Sequence, residues 1–104
     1  MDQIKSLFAV NVFGVMEMTQ AFTPMLIESN RRASPGKEFA RIVQVASLAT
    51  IVPTPWYSAY NASKAALLQY GNTLRIELEP FGVKVMTVRT CLLYRCWQLI
   101  GHAA

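Results

Sequence analysis

Two side chains suited to proton transfer stand four positions apart in the segment YNASK, which runs from Tyr60 to Lys64. Residues at positions i and i+4 of a helix lie on one face, so the phenol and the ammonium can point into one cleft. A free tyrosine, with a pKa of about 10, exchanges protons poorly near neutral pH. Because a nearby ammonium stabilises the phenolate, it lowers the pKa of the phenol. The pair is a candidate for general acid–base catalysis, although the same spacing also arises by chance on half-exposed helices.

Two further polar residues are candidates for the same site. Ser47 ends a predicted strand thirteen positions before Tyr60. Ligands of open α/β sheets bind just beyond the carboxyl ends of the strands, so the Ser47 hydroxyl could hold a substrate carbonyl. The alternative is a turn serine bonded to nearby backbone. Asn11 falls among apolar residues of a predicted helix, where its amide needs a hydrogen-bond partner; the alternative there is a satisfied core amide.

The first half of the chain predicts a helix, a loop and a strand. Apolar residues recur three and four positions apart over 2–29, which predicts a long amphipathic helix with Pro24 marking a kink or a nearby end. Its apolar stripe comprises Ile4, Phe8, Val12, Val15, Phe22 and Leu26. Proline, glycine and three cations predict an exposed loop over 29–39. The β-branched run over 40–47 lacks a polar face, as expected for a buried parallel strand.

The second half predicts a loop, a helix and a strand. Pro53 and Pro55 exclude a central strand from the loop over 48–56. A second helix is predicted over 58–79, with Leu67, Leu68, Leu74 and Leu78 on one stripe and with Pro80 and Gly82 ending it. A strand over 83–88 follows. Strand, crossover helix and strand form a right-handed parallel βαβ unit, so the predicted fold class is α/β.

The composition limits the possible classes of protein. The chain has 104 residues, of which 53% are hydrophobic and 15% are charged, which excludes a disordered chain. A domain of this length has little interior for so much apolar surface, so we expect a piece of a larger core or a chain that needs a partner. The apolar runs fall short of the roughly 18 residues of a membrane-spanning helix.

Charge and cysteine content exclude further classes. The net charge of +4 is dispersed, without the basic stripe and interleaved aromatic residues of nucleic-acid binders, so no nucleic-acid partner is predicted. Cys91 and Cys96 make no disulfide framework and no secretory signal opens the chain, which predicts a reducing, cytoplasmic location. Cys91, Cys96 and His102 match no usual four-ligand spacing, so no metal site is predicted.

Four segments together resemble the short-chain dehydrogenase/reductase family. They are NVFG at 11–14, RIVQVAS at 41–47, YSAYNASKAA at 57–66 and PFGVKV at 80–85. The resemblance covers about residues 4–88. Within the family, residues 11–16 and 51–57 are most similar to fungal 1-acyldihydroxyacetone-phosphate reductases. The implied fold is part of a Rossmann-like, doubly wound parallel sheet, and the implied reaction is the NADPH-dependent reduction of a ketone to a secondary alcohol.

The resemblance assigns a role to each candidate residue. Tyr60 is the general acid that protonates the carbonyl oxygen as hydride arrives from NADPH. Lys64 lowers the pKa of the Tyr60 phenol and hydrogen-bonds the nicotinamide ribose. Ser47 holds the substrate oxygen. Asn11 sits at a local helix irregularity and positions a water that connects Lys64 to solvent. The implied substrate is a lipid-like ketone on an acylated glycerol phosphate, and the implied location includes the endoplasmic reticulum and lipid droplets.

The sequence departs from the family at both ends. The family binds its dinucleotide with a glycine-rich turn, whereas the five glycines here are widely separated, at positions 14, 36, 71, 82 and 101. We therefore expect a truncated product that lacks the N-terminal dinucleotide-binding half. Residues 1–89 are then the catalytic part of the domain and residues 90–104 a non-homologous tail. Such a chain is expected to be poorly soluble alone, to bind NADPH weakly and to be inactive.

An alternative function is a non-catalytic interaction module. Members of the family commonly dimerise through the two helices that correspond to residues 2–29 and 58–79. The resemblance therefore implies a homo-oligomer, or pairing with an intact relative, through these two segments.

Overall fold

The computed structural model describes residues 1–37 and 39–90, which form an α/β unit. The helices are α1 (Asp2–Phe8), α2 (Gly14–Arg32) and α3 (Ser58–Leu78), and a π-helical segment (Ala9–Phe13) joins α1 to α2. The strands are β1 (Arg41–Ser47) and β2 (Lys84–Thr90). Short 3₁₀ turns follow β1 at Leu48–Thr50 and α3 at Glu79–Phe81. The helix–strand–helix–strand order and the α/β class are confirmed.

The long N-terminal helix ends later than predicted. It continues through Pro24, which lies inside α2, and it ends at Arg32 rather than at Ser29. The extra turn is stabilised by the Glu28 carboxylate, which lies 2.7 Å from Nε of Arg31 and 2.7 Å from Nε of Arg32. These i,i+3 and i,i+4 pairs favour helix over the loop predicted to begin at Ser29.

Asn30 fixes the end of α2 to both strands. Its Oδ1 accepts a hydrogen bond from the Ala40 backbone N–H at 3.1 Å, just before β1. Its Nδ2 donates to the Phe81 carbonyl at 3.3 Å, just before β2. Because Asn30 is buried, no water can replace these bonds easily. One side chain thus joins the end of α2 to the segments that lead into both strands.

The two strands pair in parallel, as predicted, and in full register. Arg41 lies opposite Lys84, and Ser47 lies opposite Thr90. β2 therefore runs past the predicted end at Val88, so that the carboxyl ends of the two strands coincide. The turn before β2 uses Gly82 at φ 71°, a left-handed conformation in which glycine is unstrained.

α3 packs on one face of this sheet and forms the core with it. The predicted stripe is confirmed for Leu67, Leu74 and Leu78, which are buried, whereas Leu68 is half-buried. Gly71 marks the closest approach of the helix to the strands. A Cβ on Gly71 would collide with the Gln44 side-chain oxygen and would lie 3.0 Å from Thr87 Oγ1. Glycine fits there because the Gln44 and Thr87 side chains occupy the space that a Cβ would need.

The opposite face of the sheet is exposed, which corrects the prediction that β1 is buried throughout. Val43, Val45, Met86 and Val88, called here the outer sheet face, are 44–57% exposed. The helices among the described residues lie on the other face, so one side of each strand has nothing packed against it. Two members of the predicted stripe on the first helix, Ile4 and Phe22, are exposed as well.

Two further predictions concern membranes and metals. Within residues 1–37 and 39–90, no helix has the length and the hydropathy needed to cross a bilayer. The same residues hold no group of three or more potential metal ligands. Cys91, Cys96 and His102, like most of the tail predicted over 90–104, lie outside the described part of the chain.

Candidate active site

The Tyr60–Lys64 pair lies on the first turns of α3. The Lys64 Nζ is 5.8 Å from the centre of the Tyr60 ring, so both side chains occupy one helix face as the spacing predicted. The Lys64 Nζ also donates to the Val45 carbonyl on β1 at 3.3 Å. The ammonium therefore lies near both the Tyr60 ring and β1, two residues before the strand ends at Ser47.

Asn11 reaches the same helical turn from the π-helical segment. The segment is the kind of local helix irregularity that the resemblance implied at this position. The Asn11 Nδ2 donates to the Ser63 Oγ at 3.2 Å. The Ser63 hydroxyl donates in turn to the Tyr60 backbone carbonyl at 2.8 Å. Asn11 is thus linked through Ser63 to the residue that carries the phenol.

Ser47 occupies the carboxyl end of β1, but its oxygen has a local partner. The Ser47 Oγ accepts a hydrogen bond from the Ala49 N–H at 3.2 Å and caps the following 3₁₀ turn. This is the turn-serine geometry considered as an alternative. The bond uses a lone pair and leaves the hydroxyl proton free for another acceptor. Within the described ranges, no hydrogen bond joins Ser47 to Tyr60, Lys64 or Asn11.

The loop before α3 supplies an aromatic neighbour for Tyr60. The Tyr57 ring meets the Tyr60 ring edge-on, with the centroids 6.4 Å apart and the planes at 77°. Asn61 fastens this loop by donating from Nδ2 to the Thr54 carbonyl at 3.2 Å. Trp56, next to Tyr57, has φ 70° and is fully exposed. The half-exposed Tyr57 ring therefore lies beside the Tyr60 ring.

Three cavities lie away from these residues. One of about 560 Å³ is bordered by Arg41, Arg75 and Lys84 at the amino end of the sheet. A second of about 610 Å³ adjoins it beside the turn before β2. A third of about 280 Å³ lies between α2 and the start of β1. Neither Tyr60 nor Lys64 lines any of these three cavities, so none of them is the cleft that the two residues were predicted to share.

Ser63 is the residue of this region that the sequence interpretation missed. It is 0% exposed and lies between Tyr60 and Lys64 in the chain. One signal was available, because Ser63 falls on the buried stripe of α3 with Leu67, Gly71, Leu74 and Leu78. A serine on an otherwise apolar stripe needs a hydrogen-bond partner, which here is Asn11 and the helix backbone.

A family comparison matches most of the chain. The short chain dehydrogenase family model matches residues 1–94. A short-chain dehydrogenase of Hypocrea virens, virD, is 46% identical over 85 residues, which are 82% of this chain and 26% of that protein. The NADPH-dependent 1-acyldihydroxyacetone phosphate reductase of Schizosaccharomyces pombe is 45% identical over 89 residues, which are 86% of this chain and 27% of that protein. The chain therefore spans about a quarter of the length of these relatives.

Solved structures resemble the chain over a similar extent. A short-chain dehydrogenase from Streptomyces avermitilis superposes with a TM-score of 0.73 and 32% identity, over 85% of this chain and 30% of that one. A second, from Burkholderia cenocepacia and in complex with NADP, superposes with a TM-score of 0.72 and 31% identity, over 85% of this chain and 33% of that one. The arrangement of α3 on a parallel sheet is common to these structures and this chain.

Proposed function

Because the chain belongs to the short-chain dehydrogenase family, we propose that it carries the proton-transfer residues of an NADPH-dependent ketone reductase. The observation that carries the proposal is the Lys64 ammonium, 5.8 Å from the Tyr60 ring centre and hydrogen-bonded to the Val45 carbonyl of β1. A cation close to the ring can offset the negative charge that develops when Tyr60 gives its proton to the substrate.

Each residue has a defined part in the proposed reduction. Reduction adds hydride to the carbonyl carbon and a proton to the carbonyl oxygen, and the Tyr60 hydroxyl supplies that proton. Ser47 has a free hydroxyl proton with which to hold the substrate oxygen. Asn11 positions a water through which Lys64 and Tyr60 regain a proton from solvent. These four residues, Asn11, Ser47, Tyr60 and Lys64, are the proposed catalytic set.

The described residues fit only part of a nicotinamide cofactor. Tyr60 and Lys64 present a hydroxyl and an ammonium that suit the hydroxyl groups of the nicotinamide ribose. The widely separated glycines of this chain do not form the turn that holds a pyrophosphate. When bound, the cofactor supplies the hydride. We propose NADPH because the fission yeast relative is NADPH-dependent and the Burkholderia structure contains NADP.

The proposed substrate is a ketone of an acylated glycerol phosphate. Its support is the similarity to the fission yeast reductase of 1-acyldihydroxyacetone phosphate. The loop beside Tyr60 is consistent with an apolar substrate, since Ile51, Val52 and Trp56 are exposed there. An acyl chain could cover these side chains.

A hybrid enzyme tests the proposal. In the fission yeast reductase, the stretch that matches this chain is replaced by residues 1–90 of this chain, so that the proposed catalytic residues come from here. We expect the hybrid to oxidise NADPH when 1-acyldihydroxyacetone phosphate is added. Tyr60→Phe removes the proton donor and should lower kcat by about 10²- to 10⁴-fold.

Tyr57→Phe is the matched control for that substitution. It also removes a phenol hydroxyl, from a neighbouring ring that borders the site without carrying the proposed proton. We expect its kcat to stay close to that of the unsubstituted hybrid. A hybrid that oxidises no NADPH, or equal losses in the two variants, would contradict the proposed function.

Self-association is a second candidate function, supported by apolar side chains on the helices. Val10 is 71% exposed and Ile76 is 69% exposed. A group of exposed apolar side chains, unlike a single one, favours association with another surface, and Phe13, Met18 and Met25 on the same helical stretch as Val10 are also more than half exposed. Sedimentation velocity of the 104-residue chain tests this. We expect a dimer that Ile76→Lys weakens. Gln69→Lys, at an exposed polar position of α3, is the control and should leave the dimer intact. A monomer at all concentrations would exclude self-association.

A further inference from the structure

We propose that Ser63 is a positioning residue for this site, and that its buried hydroxyl fixes the orientation of the Asn11 amide against the turn that carries Tyr60 and Lys64. The proposal rests on the proposed function for its catalytic consequence. Its structural part stands on two hydrogen bonds and on the burial of one side chain.

The single hydroxyl proton of Ser63 determines which end of the Asn11 amide faces it. Ser63 donates that proton to the Tyr60 carbonyl at 2.8 Å, so toward Asn11 its oxygen can only accept. The Asn11 Nδ2 must therefore face Ser63, as observed at 3.2 Å. The amide oxygen of Asn11 is then turned away from Ser63 and stays available as an acceptor.

The burial of Ser63 makes this bond hard to replace. With 0% of the residue exposed, no water can take the place of the hydroxyl without opening the contact between α3 and the π-helical segment. The π-helical segment itself has an unusual backbone, of a kind that often occurs at functional sites. A buried cross-helix bond from its central residue, Asn11, holds that backbone in a fixed position beside the site.

A hydrogen bond to the helix backbone does not by itself explain why the Ser63 hydroxyl is buried, as a second hydroxyl on α3 shows. Thr73 donates from Oγ1 to the Gln69 carbonyl at 3.1 Å, but Thr73 is exposed. Ser63 makes the same kind of intrahelical bond and, in addition, accepts from another element. Thr73→Ala is therefore a matched control that removes an intrahelical hydroxyl bond and leaves Asn11 untouched.

The kinetic test uses the hybrid enzyme. Ser63→Ala keeps the small size of the side chain and the helical preference, so the fold should survive. We expect kcat to fall about tenfold, the factor that corresponds to one hydrogen bond at the upper end of its usual range, with KM little changed. Thr73→Ala should leave both values unchanged. An unchanged kcat in Ser63→Ala would overturn the proposal.

A double-mutant comparison distinguishes positioning from packing. If Ser63 acts through Asn11, then Ser63→Ala should have almost no further effect on kcat once Asn11→Ala is present. If Ser63 only supported the fold, Ser63→Ala would lower kcat by the same factor with Asn11 present and with Asn11→Ala. Equal factors in these two backgrounds would overturn the proposal, even if the Ser63→Ala variant alone has a low kcat.

An NMR measurement on the 104-residue chain tests the bond without any activity. With asparagine labelled by ¹⁵N, we expect the side-chain amide protons of Asn11 to exchange with solvent more slowly than those of Asn72, which is exposed on α3. Ser63→Ala should abolish the difference and Thr73→Ala should keep it. Exchange of Asn11 at the rate of Asn72 in the unsubstituted chain would overturn the inferred contact.

The outcomes separate this inference from the proposed function. If Tyr60→Phe leaves the hybrid fully active, the proposed function fails, and the exchange measurement still decides whether Ser63 orients Asn11. If Tyr60→Phe abolishes activity while Ser63→Ala leaves kcat unchanged, only the inference about Ser63 fails.

Discussion

Two regions differ in how fully the described residues bury and hydrogen-bond their side chains. One is the junction of the π-helical segment with α3, and the other is the outer sheet face. At the junction, Ser63 is fully buried and hydrogen-bonded on both sides, and Lys64 is anchored on β1. On the outer sheet face, four apolar side chains are about half exposed. The orientation of the turn that carries Tyr60 and Lys64 is therefore set by hydrogen bonds to the π-helical segment and to β1. The sheet beneath it is covered by the described residues on one face only.

Substitutions on the two faces of the sheet should therefore differ most in their effect on stability. Leu74 of α3, 8% exposed, belongs to the same buried cluster as Val85 of β2, and Leu74→Ala should lower the free energy of unfolding by about 2–4 kcal/mol because it leaves a cavity. Val43→Ala on the outer sheet face removes atoms that are already half solvated, so its effect should be well under half as large. Urea unfolding of the chain measures both, and equal losses would contradict the contrast between the two faces.

Gly71 tests how tightly α3 lies on the inner face. Gly71→Ala should lower the free energy of unfolding by about 1–3 kcal/mol, because the new Cβ forces the buried Gln44 side chain to move. In a Gln44→Ala background the same substitution should be tolerated, since the colliding oxygen is gone. Urea unfolding of the four chains gives the coupling. A loss of the same size in both backgrounds would show that Gln44 does not limit the approach of the helix.

On the inner face, the side chain of Gln44 is buried without hydrogen bonds for its polar atoms among the described residues. Gln44→Met has a similar shape and removes these polar atoms, so it should raise the free energy of unfolding by about 1 kcal/mol. Thermal unfolding of the two chains measures the change. A lower stability of Gln44→Met would mean that the Gln44 amide makes a stabilising hydrogen bond in the folded chain, and would contradict this prediction.

The smallest expected effect lies far from both regions, at the end of α2. Hydrogen bonds from Arg31, and then from Arg32, lower the pKa of the Glu28 carboxyl to about 2 from its usual 4.5. The folded state thus keeps Glu28 charged where the unfolded chain binds a proton. This contribution to stability is present above about pH 4.5 and is lost as the pH falls toward about 2.

Glu28→Gln isolates this contribution. The variant should be slightly less stable than the unsubstituted chain near neutral pH, and the difference should vanish at the acidic end of that range. Added salt should reduce the difference, because the ion pairs are exposed. A difference that is independent of pH would assign the effect of Glu28 to helix propensity rather than to its charge.

Strong local signals made most of the fold predictable from the sequence. Pro80 and Gly82 fixed the end of α3 to within one residue, and the strand–helix–strand order fixed the parallel pairing. The end of the first helix was predicted too early, since Ser29 and Asn30 favour turns and the pairing of Glu28 with two arginines is needed to outweigh them. The exposed outer sheet face followed only from the expectation of a truncated domain, because β-branched residues are apolar whether or not anything covers them.

The candidate site was predictable in its residue types and less so in its connections. The spacing of Tyr60 and Lys64 dictates a shared helix face. The link from Asn11 to Ser63 depends on the π-helical segment, which changes the phase of the helix and so cannot be read from a regular period. The capping bond of Ser47 depends on the backbone of the turn that follows β1.

A double-mutant cycle on Tyr60 and Lys64 in the hybrid enzyme tests most directly whether the ammonium acts through the phenol. The variants are Tyr60→Phe, Lys64→Met and the two combined, and the measurement is kcat for NADPH-dependent ketone reduction. At saturating NADPH, where a lost contact between Lys64 and the nicotinamide ribose changes KM, we expect each single variant to lose about 10²-fold or more in kcat. The combined variant should be no slower than Tyr60→Phe alone, because Lys64 has no phenolate left to stabilise. A combined loss equal to the product of the two single losses would contradict the account.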